Sequence, residues 1–168
     1  MRKRWIVVIG ILSAIGLLAC VWRFYPHDLS SLIPVRQNEI TSLACAMSEG
    51  GVESGKPYIS SYELSELSPH DDSFEEIMEI LDLSDYHQDF RNLLPWSIKS
   101  VGSDGSRTIS VLLVWGKGEN ECCFLSMTDE SKIAVSSGTE SGLKMYHSTN
   151  RELLNILSEY MRIHGSIE

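Results

Sequence analysis

The pattern of hydrophobic and polar positions divides the chain into two unlike parts. No charged residue occurs between Trp5 and Trp22, and apolar residues fill most of that run. Eighteen helical residues at about 1.5 Å each span roughly 27 Å, close to the ~30 Å hydrocarbon core of a bilayer. After Tyr25 the pattern changes to short apolar segments separated by polar and glycine-containing ones, which is typical of a folded domain.

The first part of that domain is predicted to contain two strands and a helix. Strands are expected at Glu39–Met47, where Glu49–Gly51 then breaks the pattern, and at residues 57–64. An amphipathic helix follows, because apolar residues recur at i, i+3, i+4 and i+7. Its predicted stripe is Phe74, Ile77, Met78 and Leu81. A further helical turn or two is expected from Ser84 to Pro95, with Tyr86, Phe90 and Leu93 facing inward.

The second part is predicted to contain four strands and a closing helix. The strongest strand signal is Thr108–Trp115, which has apolar residues on both faces and is therefore expected to be central. Further strands are predicted at Cys122–Met127, Lys132–Ser136 and Leu143–His147. The turns between them are too short for parallel crossovers, so an antiparallel meander is expected. The closing helix should begin with a capping box over Thr149–Glu152 and end at Gly165; its predicted stripe is Leu153, Ile156, Leu157, Tyr160, Met161 and His164.

These elements predict an α+β fold. An antiparallel β-meander sheet carries two packed amphipathic helices, and a transmembrane helix precedes it. Residues 1–25 are interpreted as the membrane segment, residues 26–38 as a stalk and residues 39–168 as the domain.

Charge is distributed in a way that predicts orientation. Four of the 14 Lys and Arg residues and none of the 23 acidic residues precede residue 26, which leaves a net charge of −13 for residues 26–168. The cations at positions 2–4 favour a cytoplasmic N-terminus, so a single-pass cell-membrane protein with residues 26–168 extracytoplasmic is expected. An acidic domain of this kind argues against binding nucleic acid or anionic lipid, because both would repel it.

The membrane segment has three alternative fates. It could remain as an uncleaved signal anchor, it could be a lipoprotein signal peptide that ends at Ala19, or it could be cut as an ordinary signal peptide. Leu17-Leu18-Ala19-Cys20 resembles the lipobox of bacterial lipoproteins, and that resemblance implies lipidation of Cys20. Apolar residues continue past Cys20 and no Gly/Ser-rich tether follows it, which favours the anchor.

The domain contains three further cysteines. Cys122 and Cys123 are neighbours on a predicted strand and should point to opposite faces. At most one of them is therefore expected to pair with Cys45, and an oxidising compartment would permit that bridge. Three buried, reduced thiols are the alternative. No Cys/His spacing typical of zinc occurs.

No catalytic motif is visible in the chain. Nucleophile elbows and phosphate-binding glycine loops are absent, so no catalytic, cofactor-binding or metal-binding residue and no cofactor are predicted. Residues 69–89 hold eight acids and no Lys or Arg, which indicates a solvated helix face, a weak divalent-cation site near His70 and His87, or a docking surface for a basic partner. A site assembled from distant residues is a further alternative, for example His147, Asp71 and Glu152.

Three segments carry a resemblance to small extracytoplasmic proteins of Gram-positive bacteria, which have an anchor or lipobox before a compact domain. They are MRKRWIVVIGILSAIGLLAC, TISVLLVWGKGENECCFLSM and TNRELLNILSEYM. The resemblance implies no catalytic residue. The membrane segment and the lack of a coherent catalytic set predict a membrane-tethered binding domain without catalytic activity, whose partner is an envelope protein, a peptide or a second copy. The alternatives are an envelope hydrolase and a structural or assembly subunit of an envelope complex.

Overall fold

The computed structural model of the protein describes residues 2–94, 107–118, 121–128, 131–138 and 142–167, and side chains throughout these ranges except at 2–6, 23 and 53. Three helices and eight strands occur in these ranges. The helices are α1 (Arg2–Phe24), α2 (Asp72–Asp82) and α3 (Leu153–His164). The strands are β1 (Ser42–Glu53), β2 (Lys56–Leu67), β3 (Tyr86–Gln88), β4 (Arg107–Val114), β5 (Cys122–Thr128), β6 (Lys132–Ser137), β7 (Lys144–Ser148) and β8 (Ser166–Ile167).

All eight strands form one antiparallel sheet in the order β3-β7-β6-β5-β4-β1-β2-β8. The predicted meander is confirmed, because β4, β5, β6 and β7 are consecutive neighbours. The predicted central position of β4 is also confirmed, since it lies between β5 and β1. The fold class is therefore α+β, as the predicted runs of strands joined by short turns, each run followed by a helix, indicate.

The inner face of the sheet forms the core with α2 and α3. One continuous buried row crosses five neighbouring strands and consists of Met47, Ile109, Met127, Ile133 and Tyr146. The predicted stripe of α2 is confirmed, because all four of its residues are buried against this face. The stripe of α3 is shifted from the predicted one: its buried residues are Leu153, Leu154, Leu157, Ser158 and Met161.

The predicted stalk differs from the observed structure of residues 26–38. Leu29, Leu32 and Ile33 are buried members of the core, so the packed part of the domain begins before residue 39. Just after α1, the backbones of His27 and Tyr86 exchange two hydrogen bonds of 2.8 and 2.6 Å. Among the residues whose side chains are described, no helix is both long enough and apolar enough to cross a membrane.

Three local predictions are wrong. The strand break at Glu49–Gly51 does not occur, because β1 continues to Glu53 and the reversal comes at Ser54-Gly55. The Tyr58 ring covers Gly51, which fills the space that glycine leaves on a strand. The capping box over Thr149–Glu152 does not form either, because α3 begins at Leu153 and the Thr149 hydroxyl binds the Asp85 carbonyl.

The third wrong prediction is the helix from Ser84. The chain there forms β3 and then a short 3-10 turn at Phe90–Leu93, and only Tyr86 is buried as predicted; Phe90 and Leu93 are exposed. Strand pairing replaces the helix because β3 gains partners on both sides, β7 and the His27 bridge. The predicted helix end at Pro95 lies outside the described residues.

Candidate functional site

Three basic side chains form a row across the outer face of the sheet, on strands β6, β7 and β3. Lys132 pairs with His147 and His147 pairs with His87 in the strand register. Their neighbours Ile133 and Tyr146 face the core, so these three side chains project from the opposite face. We call Lys132, His147 and His87 the basic row. The two imidazole rings are stacked, with centroids 5.3 Å apart and planes at 18°.

A buried carboxylate holds one member of this row in place. Asp89 is only 5% exposed, and its Oδ2 atom lies 3.0 Å from Nε2 of His147. The same oxygen accepts hydrogen bonds from Nε and Nη2 of Arg91 at 2.8 and 2.6 Å, and Oδ1 accepts one from the Arg91 backbone N–H. A buried charge is tolerated when it is paired and fully hydrogen-bonded in this way.

These contacts also set the ionisation of the pair. Burial by itself raises the pKa of Asp89, but the hydrogen bonds from Arg91 and His147 outweigh it and hold that pKa far below its usual range. Burial and the neighbouring His147 lower the pKa of His87, while Asp89 acts in the opposite direction. At neutral pH the carboxylate is therefore ionised, and the His87 imidazole is a neutral group that can accept or donate a proton.

The segment after β3 is positioned by hydrogen bonds to β7. The Asp89 N–H donates to the carbonyl of Met145 at 2.9 Å, which extends the strand pairing by one residue. The Asn92 side chain then binds both backbone groups of Met145, donating to its carbonyl at 2.7 Å and accepting from its N–H at 2.8 Å. Asp89 also caps the 3-10 turn through the Arg91 N–H. These hydrogen bonds therefore fix the turn that carries Arg91.

The basic row lines an open cavity of about 500 Å³. Its wall is completed by the segment after β3 and by Phe24, the last residue of α1. The ring of Phe90 is 64% exposed at this cavity. A second open cavity of about 510 Å³ lies alongside and is lined by Ala19, Trp22, His27, Ser31 and Gln88. The polar site is thus adjacent to the end of the apolar helix.

The chemistry available in this cavity is anion recognition and proton transfer. A guanidinium, an ammonium and two imidazoles line the cavity together with one ionised carboxylate. Among the described residues that line the cavity, none carries a hydroxyl or thiol nucleophile. No group of three His, Cys, Asp or Glu residues in the described ranges could hold a metal ion.

The sequence-predicted site residues are not brought together. Asp71 accepts hydrogen bonds from the backbone and hydroxyl of Ser68, and Glu152 accepts one from Asn155, whereas His147 binds Asp89. The acidic run is placed mostly on the solvent side of α2, as the solvated-face interpretation predicts; its exposed members there are Asp72, Glu75, Glu76, Glu79 and Asp82. Only its last residue, Asp89, is buried.

The cysteines do not form the bridge that the sequence allows. None of the four takes part in a disulfide. Cys45 on β1 and Cys123 on β5 are separated by β4, so roughly 10 Å of strand spacing lies between them, beyond the ~7 Å limit for bridged Cα atoms. Burial raises the pKa of both thiols to about 12, which leaves them as unreactive core groups. Cys20 is exposed on α1, and Cys122 points away from Cys123 as predicted.

Sequence reasoning missed the group formed by His87, Asp89, Arg91 and His147. The helical interpretation of residues 84–93 placed Asp89 on a different helix face from His87 and Arg91. An extended chain instead puts His87 and Asp89 on one face by period two. The alternation of polar residues at 87, 89 and 91 is the signal that could have found them. No protein-family model, curated protein or solved structure matches the chain.

Proposed function

We propose that the protein is a membrane-tethered, extracytoplasmic binding domain whose ligand site is the cavity lined by the basic row. The observation that carries this proposal is the assembly of four cationic or titratable side chains around a buried carboxylate, directly beside the end of an apolar helix. The domain as a whole has an excess of acids, whereas this cavity is lined by an arginine, a lysine and two histidines. Such a lining suits an anionic ligand.

The tether is supported by the sequence and by the exposure of α1. The 18 residues from Trp5 to Trp22 are uncharged, and cations flank them on the N-terminal side. Ten large apolar side chains along α1, from Val7 to Trp22, are between 46% and 73% exposed. Nothing else in the described part of the chain covers them, so a bilayer is the environment that would satisfy this surface. The proposed orientation has residues 26–168 outside the cytoplasm.

A second candidate function is supported by the same cavity. Two stacked imidazoles, one of them oriented by a carboxylate, resemble an acid–base pair, and a nearby guanidinium could stabilise a developing negative charge. An envelope hydrolase that uses His87 and His147 for proton transfer to and from water is therefore the alternative. Binding is favoured because the carboxylate of Asp89 and the guanidinium of Arg91 are engaged with each other in an ion pair.

The orientation is tested by reporter fusions to the C-terminus of the full chain. Alkaline phosphatase, which folds only outside the cytoplasm, is expected to be active, and a cytoplasm-only fluorescent reporter is expected to be dark. Replacing Arg2, Lys3 and Arg4 with Glu should reduce phosphatase activity, because these cations hold the N-terminus inside. A bright cytoplasmic fusion and an inactive phosphatase would overturn the proposed location.

The ligand site is tested by photo-crosslinking in intact cells. A photoreactive residue in place of Phe90 samples the cavity, and the matched control is the same residue in place of Val52, which is 72% exposed near the tip of the β1–β2 hairpin. We expect adducts from position 90 and none from position 52. Equal labelling at both positions, or none at either, would count against a binding site in this cavity.

A further inference from the structure

We propose that the basic row and Arg91 bind the headgroup phosphate of an anionic lipid in the membrane that holds α1. This inference rests on the proposed tether and names the ligand class of the proposed site. From its overall negative charge, the domain is expected to avoid anionic lipid. The cations that line this cavity would instead attract anionic lipid locally.

The position of the cavity relative to α1 is the first argument. If residues 5–22 cross the hydrocarbon core, Phe24 and the residues just after it lie at headgroup depth. Phe24 lines the cavity itself, and the neighbouring cavity reaches Ala19 and Trp22. The polar site is therefore placed at the level where lipid phosphates are found.

The connection between α1 and the site is short and braced. His27 follows α1 by three residues, and its Nε2 atom lies 3.2 Å from the Trp22 carbonyl. The His27 backbone pairs with Tyr86, the residue before His87 in β3. The Trp22 and His27 rings also pack edge to face at 5.7 Å. These contacts fix the position of the basic row relative to the C-terminal end of α1.

The charges fit a phosphate monoanion. Arg91 and Lys132 bring two cations to the cavity beside one carboxylate, Asp89, and protonation of His87 adds a third cation. Guanidinium and ammonium groups are the side chains that bind phosphate oxygens best. Asp89 orients Arg91 and His147 through its hydrogen bonds, and both side chains line the cavity.

The aromatic residues fit the remainder of a lipid. Phe24 and Phe90 flank the cationic groups at the cavity, and Phe90 is largely exposed. Apolar rings beside cationic groups suit the boundary between headgroup and acyl chain, where one end of the ligand is apolar and the other is charged. A soluble phosphate would leave these rings uncovered.

The test uses the full chain in neutral detergent micelles that contain equal amounts of short-chain phosphatidylglycerol and phosphatidylcholine. Native mass spectrometry measures the ratio of the two lipids bound to the protein. We expect phosphatidylglycerol to be enriched, and K132Q to reduce the enrichment about fivefold, since one cation near a lipid headgroup contributes about 1 kcal/mol. The matched control is K56Q, because Lys56 is exposed at the β1–β2 turn, where no change is expected.

Dependence on pH gives a second, independent readout. Lowering the pH from about 8 to about 5 should increase the enrichment, because the His87 imidazole, whose pKa is lowered by burial, gains a proton beside Asp89, Arg91 and Lys132. The H87Q variant should flatten this dependence, whereas H70Q, at an exposed position before α2, should not. Circular dichroism of each variant establishes that the fold is retained.

Each outcome decides the proposal. Enrichment that K132Q and H87Q reduce supports it. Equal binding of both lipids, or an enrichment that neither variant changes, overturns it. Full displacement of phosphatidylglycerol by inorganic phosphate would assign the cavity to a soluble phosphate and also overturn it. The reporter fusions described above test the tether separately, because binding in micelles does not depend on the orientation of the chain in a cell.

Discussion

At the scale of single residues, Asp89 is the side chain on which the site depends most. It is buried, and it accepts hydrogen bonds from Arg91 and His147. We expect D89N to lower the free energy of unfolding by about 2 to 3 kcal/mol, because it removes the buried, ionised acceptor of these hydrogen bonds. Urea unfolding of the full chain in micelles measures this difference. The control is D85N, at an exposed position, which should cost less than about 0.5 kcal/mol.

The same residue predicts how stability depends on pH. The folded-state pKa of Asp89 lies far below its unfolded value, so its contribution is complete above about pH 5 and is lost as the pH falls towards the folded-state pKa. We therefore expect the stability difference between the native chain and D89N to narrow as the pH falls below about 4. A difference that instead grows below about pH 4 would contradict the assignment of Asp89 as the ionised partner.

The residue scale also shows what the sequence could not reveal. In the sequence, one aspartate among the eight acids of residues 69–89 looks the same whether its carboxylate is exposed to solvent or buried. Asp89 differs from Asp82 and Asp85 only because the strand register brings it to His147, which is 58 residues away along the chain. Long-range register of this kind is set by the whole sheet and leaves no local signal.

At the scale of elements, the β1–β2 hairpin is defined by its turn. Ser54 and Gly55 both have positive φ, 51° and 77°, and Glu53 pairs with Lys56, which is the geometry of a two-residue type I′ turn. We expect G55A to destabilise the protein by about 1 kcal/mol, because a Cβ atom disfavours this backbone conformation. S54G should have the opposite sign, a gain of up to about 1 kcal/mol, since it removes the same strain. Thermal unfolding of the two variants provides the comparison, and loss of stability in both would exclude this turn type.

A surface ion pair links α3 to β1 and illustrates a weaker element-scale contact. Nε and Nη2 of Arg162 donate to the Glu49 carboxylate at 3.2 and 2.6 Å, and these bonds lower the pKa of Glu49. Both groups are partly exposed, so R162Q should cost only about 0.5 kcal/mol, and less in high salt. R151Q, at an exposed position before α3, is the matched control. A cost that does not change with salt would show that Arg162 acts through packing instead of charge.

Periodicity predicted those elements whose local pattern and tertiary setting agree. The apolar stripe of α2 and the apolar residues on both faces of β4 are strong signals. The structure agrees with both, because the stripe of α2 is buried and β4 lies between β5 and β1. The segment from Ser84 to Leu94 is ambiguous locally, because Tyr86 and Phe90 fit a helical period as well as an extended one. Pairing with β7 and with His27 decides in favour of the strand, and neither partner is visible in a local window.

At the scale of the whole molecule, two distributions of charge coexist. The acids of α2 lie on the helix that covers the inner face of the sheet, and the basic row lies on the outer face beside the end of α1. A domain arranged in this way would be attracted to an anionic surface only through the end of the sheet that lies next to α1. The net charge that the sequence provides averages over both regions and therefore predicted repulsion. Spatial separation of charge, and not its sum, determines which surface such a domain approaches.

Whether residues 1–19 are kept or cleaved also affects the whole molecule. α1 continues without a break through Cys20 to Phe24, and Phe24 lines the cavity of the proposed site. Cleavage before Cys20 would keep this wall but remove the apolar run that precedes it. We therefore expect the mature protein to keep residues 1–19, and C20S to leave its membrane fraction unchanged. Intact mass spectrometry of protein extracted from native membranes measures this directly; a chain that begins at a diacylglyceryl Cys20, and is lost from the membrane in C20S, would establish a lipoprotein instead.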